Sequence, residues 1–197
     1  MIDIPLFYAI LIFGQFVTIL TQLQPRSKNK TKETIIMKKN SRAFFVAYAA
    51  IIAALYVVLT LIANALGLAN YAIQIRFSEA LTILPYFTPA AIPGLFVGCI
   101  LSNILTGCVP LDILFGSIAT LLGAIFTYKL RKWKYLSPLP PILFNILLVP
   151  PVLAFVYKFE GTLYYFMITV GIGEIISCGV LGIMLLLLLE KYRNRLF

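Results

Sequence analysis

Histidine is absent from this chain of 197 residues, and only seven residues are acidic. The chain therefore lacks the commonest metal ligand and the commonest general base of enzymes. It also lacks the GxxxxGK[S/T] loop, so by itself it cannot bind and hydrolyse ATP in the Walker manner. The three cysteines, Cys99, Cys108 and Cys178, form no CxxC pair and stand in apolar segments. We interpret them as small buried residues, and we expect neither a metal nor a bound cofactor.

Charge is also scarce, because charged residues make up 12% of the chain and hydrophobic residues 61%. With a mean hydropathy of +0.99, the chain has too few polar residues to cover a soluble domain. Apolar runs near the ~20 residues that a membrane helix needs recur along the sequence. Because these runs are continuous, they predict helices instead of a barrel. We expect an all-α integral membrane bundle of six helices, at residues 43–66, 74–88, 91–107, 112–130, 138–157 and 163–189.

The second of these segments differs from the others, because Pro85, Pro89 and Pro93 follow one another at steps of four. Proline removes a backbone donor and disfavours the helical conformation of the residue before it. We therefore predict a second helix that is short and bent by proline. Irregular backbone at membrane depth is tolerated only against protein or a water-filled cavity.

The distribution of basic residues predicts the orientation. With both ends of the six-helix unit in the cytoplasm, only Arg76 and Lys158 of the sixteen Lys and Arg residues lie outside. The positive-inside rule favours this topology in the cell membrane, with a cytoplasmic C-terminus. The net charge of +9 is then explained by loops beside anionic lipid, which argues against a nucleic-acid partner.

Residues 1–36 stand apart from the membrane domain at 37–197. They comprise an apolar stretch at 4–20 and a polar, basic linker at 21–36. An additional membrane helix and an uncleaved signal-like segment are two interpretations of the apolar stretch. A third is that translation begins naturally at Met37, and we favour it.

Two polar residues are predicted to lie deep in the membrane at a similar level. Glu174 falls roughly 17 Å from the outer end of the sixth helix, and Asn145 roughly 18 Å from the outer end of the fifth. They could form a structural pair that joins two helices. We favour the floor of a substrate site, because a lone carboxylate in hydrocarbon is a costly way to join helices.

Further polar residues lie toward the outer end. Gln74, Arg76, Glu79 and Asp112 cluster at the predicted mouth, and Asn103 lies roughly 6 Å below the outer end of the third helix. Asp112 could equally be a helix N-cap, and Arg76 and Glu79 could pair at the membrane surface. The hypothesis is that Glu79, Asn145 and Glu174 contact the polar edge of a ligand. Arg76 and Gln74 would close the mouth, and Asn103 and Asp112 would assist.

The ionised candidates sum to a net negative charge, which suits a neutral or cationic ligand with several hydrogen-bond donors. Nearby aromatic residues offer planar surfaces for stacking, although each is more typical of an interfacial belt. These residues are Tyr71, Phe77, Tyr86, Tyr164 and Tyr165.

The first helix carries a strip of alanines on one face, at positions 43, 47, 50 and 54, which Ala49 and Ala53 widen. Small residues let a second helix approach closely. The spacing leaves open whether that helix belongs to this chain or to another subunit.

Four segments in order resemble the QueT family, which comprises substrate-binding S components of energy-coupling factor (ECF) transporters. They are IQIRFSEALTILPYFTPAAIPGLFVG, LDILFGSIATLLGA, SPLPPILFN and VGIGEIISCGVLG, and the resemblance covers residues 40–190. It implies a six-helix bundle that works with a transmembrane coupling protein and two cytoplasmic ATPases, which use the ATP. It also implies docking of the coupling protein on an AxxxA face, either Ala49 with Ala53 or Ala50 with Ala54.

The implied substrate is a 7-deazaguanine precursor of queuosine, such as the 7-cyano or 7-aminomethyl compound. Another heterocyclic vitamin is an alternative. Two other classes stay open: a proton-coupled secondary carrier with Glu174 as its proton site, and a structural scaffold without a ligand. An enzyme is disfavoured, because no nucleophile stands beside a base.

Overall fold

The computed structural model describes residues 30–68, 75–157, 161–191 and 193, with side chains from residue 42 onward. The apolar stretch 4–20, together with Gln74 and Tyr71, lies outside the described residues. All regular secondary structure in the described ranges is helical.

Six apolar helical segments make up the bundle. They are α1 (Lys30–Ala65), a 3₁₀ helix (Phe77–Tyr86), α2 (Ala91–Leu105), α3 (Pro110–Lys129), α4 (Leu139–Phe155) and a last segment of three parts, α5 (Leu163–Glu174), a π-helical stretch (Ile175–Leu181) and α6 (Gly182–Glu190). A short 3₁₀ turn, Lys134–Leu136, precedes α4. Four stretches of the described chain are long and apolar enough to cross a membrane: Arg42–Ala65, Pro110–Lys129, Lys134–Phe155 and Leu163–Glu190. The expected multi-pass helical membrane bundle is confirmed.

Local sequence explains where several helices begin and end. Pro110 occupies the first turn of α3, where its missing N–H costs no helical hydrogen bond. The Thr162 side chain caps α5 by accepting a hydrogen bond from the Tyr165 backbone N–H at 3.3 Å. Gly67 and Gly107 follow α1 and α2 with φ angles of +74° and +76°, which glycine adopts without steric cost.

The predicted second helix is a ten-residue 3₁₀ helix with Pro85 inside it. It is short, as expected, and longer than the three or four residues usual for this geometry. It packs against α1, α2, α3, α6 and the π-helical stretch, and most of its side chains are buried. The other helices thus surround an irregular segment, which supplies the protein environment that such backbone requires in a membrane.

A close helix crossing joins α1 to α2. A Cβ added at Gly94 would lie 2.7 Å from the Ala49 carbonyl oxygen, and one added at Gly98 would lie 3.0 Å from the Ala53 Cα. Two small residues four apart on each helix therefore allow backbone contact, as is common between membrane helices. Ala49 and Ala53 thus pack against α2 of the same chain, whereas Ala50 and Ala54 are exposed.

The basic segments meet at one end of the bundle. Lys134, in the connection between α3 and α4, forms an ion pair with Glu190 at the end of α6. The Arg193 guanidinium lies 6.0 Å from the centre of the Tyr86 ring, at the end of the 3₁₀ helix. The two basic regions that the charge count assigns to one side of the membrane are therefore neighbours.

The crossing of α1 and α2 predicts the result of replacing its glycines. Gly94→Ala should lower the free energy of unfolding by about 1–3 kcal/mol, because its Cβ would overlap a backbone oxygen that cannot rotate away. Thermal unfolding in detergent would measure the loss. Gly182→Ala is the matched control, since its Cβ would find its nearest neighbour at 3.8 Å. Equal stability of the two variants would contradict the close crossing.

Candidate functional site

A small polar cavity lies between the 3₁₀ helix, α3, α4 and α5. Its volume of about 20 Å³ gives room for about one water molecule. Nine residues line it: Arg76, Glu79, Asp112, Gly116, Thr120, Asn145, Val149, Val170 and Glu174. Five of the seven residues proposed from sequence therefore meet at one cavity.

Glu79 is the most deeply buried charged residue of this cavity, with 2% of its surface exposed. The 3₁₀ helix carries it to the middle of the bundle, where the Tyr56 hydroxyl of α1 donates a hydrogen bond to its Oε1. Its Oε2 has no hydrogen-bond partner of acceptable geometry among the described residues. The Asn145 side chain lies near enough to interact with the carboxyl group. One oxygen of Glu79 is thus held, and the other is available to a donor.

Glu174 and Asn145 line the same cavity from α5 and α4. The Asn145 side chain lies close to the carboxyl groups of both Glu174 and Glu79. The Cys178 thiol donates to Glu174 Oε2 at 3.1 Å. Two carboxyl groups and an amide therefore converge on one point of the bundle interior.

The backbone is irregular where Glu174 and Cys178 stand. The π-helical stretch begins directly after Glu174 and contains Cys178. A π-helical turn inserts an extra residue into the helix, and such turns are frequent at functional sites. Ser177 of the same stretch accepts a hydrogen bond from the Arg76 backbone N–H at 3.2 Å, which ties the start of the 3₁₀ helix to the last membrane segment.

Arg76 and Asp112 also line the cavity. Asp112 is not the N-cap of α3, because Val109 occupies that position. Its Oδ2 instead accepts a hydrogen bond from the Tyr157 hydroxyl at 3.0 Å. Burial raises the pKa of Tyr157 to about 12, so the phenol keeps its proton and remains a donor at neutral pH.

Asn103 does not line the cavity, although it is buried. Its amide lies behind α3, where a Cβ added at Gly116 would approach Asn103 Nδ2 to 3.3 Å. The amide also donates to the Cys99 sulfur at 3.6 Å. Asn103 therefore packs behind the lining residue Gly116 and does not face the cavity. Gln74, the seventh candidate, is outside the described residues.

Four of the aromatic residues considered for stacking lie within the described ranges, and none of the four lines the cavity. Tyr164 and Tyr165 are exposed, Phe77 belongs to the hydrophobic core, and Tyr86 lies near Arg193 at the basic end. Stacking of these four residues on a ligand stays a prediction that this cavity does not support. Interfacial tyrosines near helix ends are common in membrane proteins, and Tyr164 and Tyr165 fit that pattern.

Sequence reasoning missed the hydroxyl and thiol groups that hold the carboxyl groups. Tyr56 is 23 residues away from Glu79 in sequence. The sequence interpretation of Cys178 as a small buried residue does not predict its hydrogen bond to Glu174. A tyrosine in the middle of an apolar helix is a usable signal, because buried tyrosine hydroxyls usually have a hydrogen-bond partner. No pattern in the sequence indicates which partner that is.

One group of side chains could hold a cation. Ligand atoms of Glu79, Glu174 and Cys178 lie within 4.8 Å of one another. Carboxylate and thiolate are ligands of Zn²⁺, but the Cys178 thiol here keeps its proton and donates a hydrogen bond to Glu174. Arg76 contributes a positive charge to the same cavity. The arrangement therefore suits a donor-rich organic ligand better than a divalent ion.

A multi-pass membrane bundle that encloses charged and amide side chains in its interior has the architecture of a membrane transport protein. A family model described as QueT transporter matches residues 46–191, and the chain belongs to that family. The description of that family points to transport and not to an enzymatic reaction. This finding confirms the resemblance seen in the sequence motifs.

The chain is also similar to the queuosine precursor transporter QueT of Lactococcus lactis subsp. cremoris (strain MG1363). The two are 34% identical over 83 residues, which is 42% of this chain and 48% of that relative. The match thus spans about half the length of the relative. No solved structure matches the chain.

Asp112 and Tyr157 allow a test of the cavity wall formed by α3. Tyr157→Phe should lower the free energy of unfolding by about 1 kcal/mol, because the phenol is a donor to the buried Asp112 carboxylate. Tyr135→Phe is the control, since 69% of the Tyr135 surface is exposed. Chemical or thermal unfolding in detergent would compare them, and a smaller effect at Tyr157 than at Tyr135 would refute the contact.

Proposed function

We propose that this chain is the substrate-binding S component of an ECF-type transporter that imports a 7-deazaguanine precursor of queuosine. The observation that carries the proposal is the meeting of Glu79, Asn145 and Glu174 at one buried cavity in a chain of the QueT transporter family. The name of the Lactococcus lactis relative supports the substrate class.

The chemistry of the cavity fits the polar edge of a guanine-like ring. That edge carries adjacent N–H donors beside a carbonyl oxygen, and carboxylates accept such donors whereas an amide can donate to the carbonyl. Glu79 Oε2 is a buried acceptor without a hydrogen-bond partner among the described residues. A ligand donor there would remove the cost of leaving a buried polar atom unsatisfied.

The charge of the cavity favours a substrate with a positive group. Arg76 faces three acidic residues, Glu79, Asp112 and Glu174. Arg76 and Asp112 balance each other, so the lining is negative whenever either Glu79 or Glu174 is ionised. We therefore propose the 7-aminomethyl compound, whose amine is a cation at neutral pH, as a better ligand than the neutral 7-cyano compound.

The cavity must enlarge to accept such a ligand. A volume of about 20 Å³ is far below the ~300 Å³ at the lower end of small-molecule pockets. Glu79 of the 3₁₀ helix lines the cavity, and the π-helical stretch begins directly after the lining residue Glu174. The backbone of both segments departs from α-helical geometry. We propose that these two segments move when the substrate enters.

The energy for uptake would come from partner subunits, because this chain has no Walker loop. The proposed docking surface is the exposed alanine face of α1, formed by Ala43, Ala47, Ala50 and Ala54. Ala49 and Ala53 already pack against α2, so Ala50 with Ala54 is the pair that remains for a coupling protein. The proposed orientation places the cavity mouth outside and the C-terminus in the cytoplasm.

Binding to the purified protein tests the substrate site. Glu174→Gln and Asn145→Ala should each weaken binding of 7-aminomethyl-7-deazaguanine by about 10- to 100-fold, because each leaves a polar group of the ligand or the protein unpaired. Glu190→Gln is the control, since its carboxylate pairs with Lys134 at the basic end. Calorimetry would give the dissociation constants. Undiminished affinity in both site variants would exclude this site.

Uptake in cells tests the partner surface. Ala50→Trp should reduce uptake at least about tenfold while binding to the purified protein stays unchanged, because a bulky side chain prevents close helix approach. Leu147→Trp is the control, at a position of α4 that is 59% exposed.

The same uptake assay separates the S component from a secondary carrier. Cells that lack the ATPase subunits should take up no substrate through the wild-type chain. Uptake that persists without those subunits would instead favour a proton-coupled carrier.

A further inference from the structure

We propose that Tyr56 is a positioning residue for the substrate: its hydroxyl holds one oxygen of Glu79 and thereby directs the other oxygen into the cavity. The inference rests on the proposed function, since it concerns how Glu79 meets the ligand. Tyr56 itself is not among the residues that line the cavity. It would act through Glu79 and not by touching the substrate.

The two oxygens of Glu79 have different surroundings. Tyr56, with 1% of its surface exposed, donates to Oε1, whereas Oε2 has no hydrogen-bond partner among the described residues. The last torsion of a glutamate side chain is broad and is not fixed by staggering. A hydrogen bond to one oxygen therefore sets the plane of the carboxyl group and the direction in which the second oxygen points.

The helix crossing explains how the hydroxyl reaches Glu79. Gly98 of α2 lies against Tyr56, because a Cβ added there would come within 2.8 Å of the Tyr56 Cβ. The absence of a side chain at Gly98 lets α1 lie close to α2, with the Tyr56 ring directed toward the 3₁₀ helix that carries Glu79. The ring is fully enclosed, so its hydroxyl has little freedom to select another acceptor.

A second hydrogen bond between the same two helices provides a matched comparison. Thr60, one turn after Tyr56, donates to the Ser78 hydroxyl at 2.8 Å, next to Glu79 in sequence. Both contacts join α1 to the 3₁₀ helix, and both are buried. Only the Tyr56 contact ends on the carboxyl group. Removing each hydroxyl in turn therefore distinguishes two effects: loss of a contact between the two helices, and loss of the hydrogen bond that orients Glu79.

The test compares Tyr56→Phe with Thr60→Val in the full-length protein, using 7-aminomethyl-7-deazaguanine as the probe. Tyr56→Phe should weaken binding about tenfold, because the freed carboxyl group must be ordered again when the ligand binds. Thr60→Val should change the affinity less than about twofold. It removes the buried contacts of the Thr60 hydroxyl with Ser78 and with the Tyr56 carbonyl oxygen, so it should lower thermal stability at least as much as Tyr56→Phe does.

A double-mutant cycle with Glu79→Gln distinguishes positioning of the carboxyl group from a merely structural role of Tyr56, because the two predict different additivity of the affinity losses. If Tyr56 acts through the carboxyl group, adding Tyr56→Phe to Glu79→Gln should change the affinity by less than about twofold. An effect of Tyr56→Phe equal to that of Thr60→Val, or full additivity in the cycle, would overturn the inference. Absence of binding by the wild-type protein would instead refute the proposed function, so the two failures are distinguishable.

Discussion

The burial of two carboxyl groups within a membrane-embedded bundle is the constraint on which the rest of this structure depends. Moving an ionised carboxylate out of water costs several kcal/mol even after relaxation, and more in hydrocarbon when no partner is available. Tyr56 of α1 donates to Glu79, and Cys178 of the π-helical stretch donates to Glu174. The amide of Asn145 on α4 and the positive charge of Arg76 line the same cavity. The fold brings these groups together at one cavity inside the bundle.

That requirement gives a physical reason for the irregular helices. In a regular α-helix, side chains three or four residues apart share a face, and a bundle of such helices presents mostly apolar surfaces to its interior. The 3₁₀ helix brings Glu79 to the centre of the bundle, and the π-helical stretch follows Glu174 in the sequence. Both depart from α geometry at the cavity, where the surrounding helices shield their backbone from lipid.

Helix α1 connects the cavity to the exposed surface. Its inner face contributes Tyr56 and the small residues that cross α2, and its outer face presents alanines. A partner that shifts or tilts α1 would also move the donor to Glu79. Docking of a coupling protein and the geometry of the substrate site would then be linked through one rigid element, which is a physical route by which partner binding could release the substrate.

The sequence predicted the positions of the membrane segments well, because continuous apolar runs, charge asymmetry and prolines are local signals. The proline-interrupted segment was expected to be short, and it is. The convergence of Asn145 and Glu174 followed from counting residues along two helices. The roles of Tyr56 and Cys178 could not be predicted, because they depend on contacts between residues distant in sequence and on a π-helical turn that no residue pattern marks. The sequence could not show which aromatic residues lie near the cavity, because belt tyrosines and pocket tyrosines have the same sequence signature.

The central proposal is that this cavity binds a queuosine precursor. Identifying the small molecule that copurifies with the protein tests it most directly. Mass spectrometry of extracts from the detergent-solubilised protein, expressed in cells supplied with queuosine precursors, should detect a 7-deazaguanine in near-stoichiometric amount. The same extraction from a Glu79→Gln variant should show much less. A different heterocyclic vitamin bound at stoichiometry, or equal amounts of 7-deazaguanine with both proteins, would contradict the account.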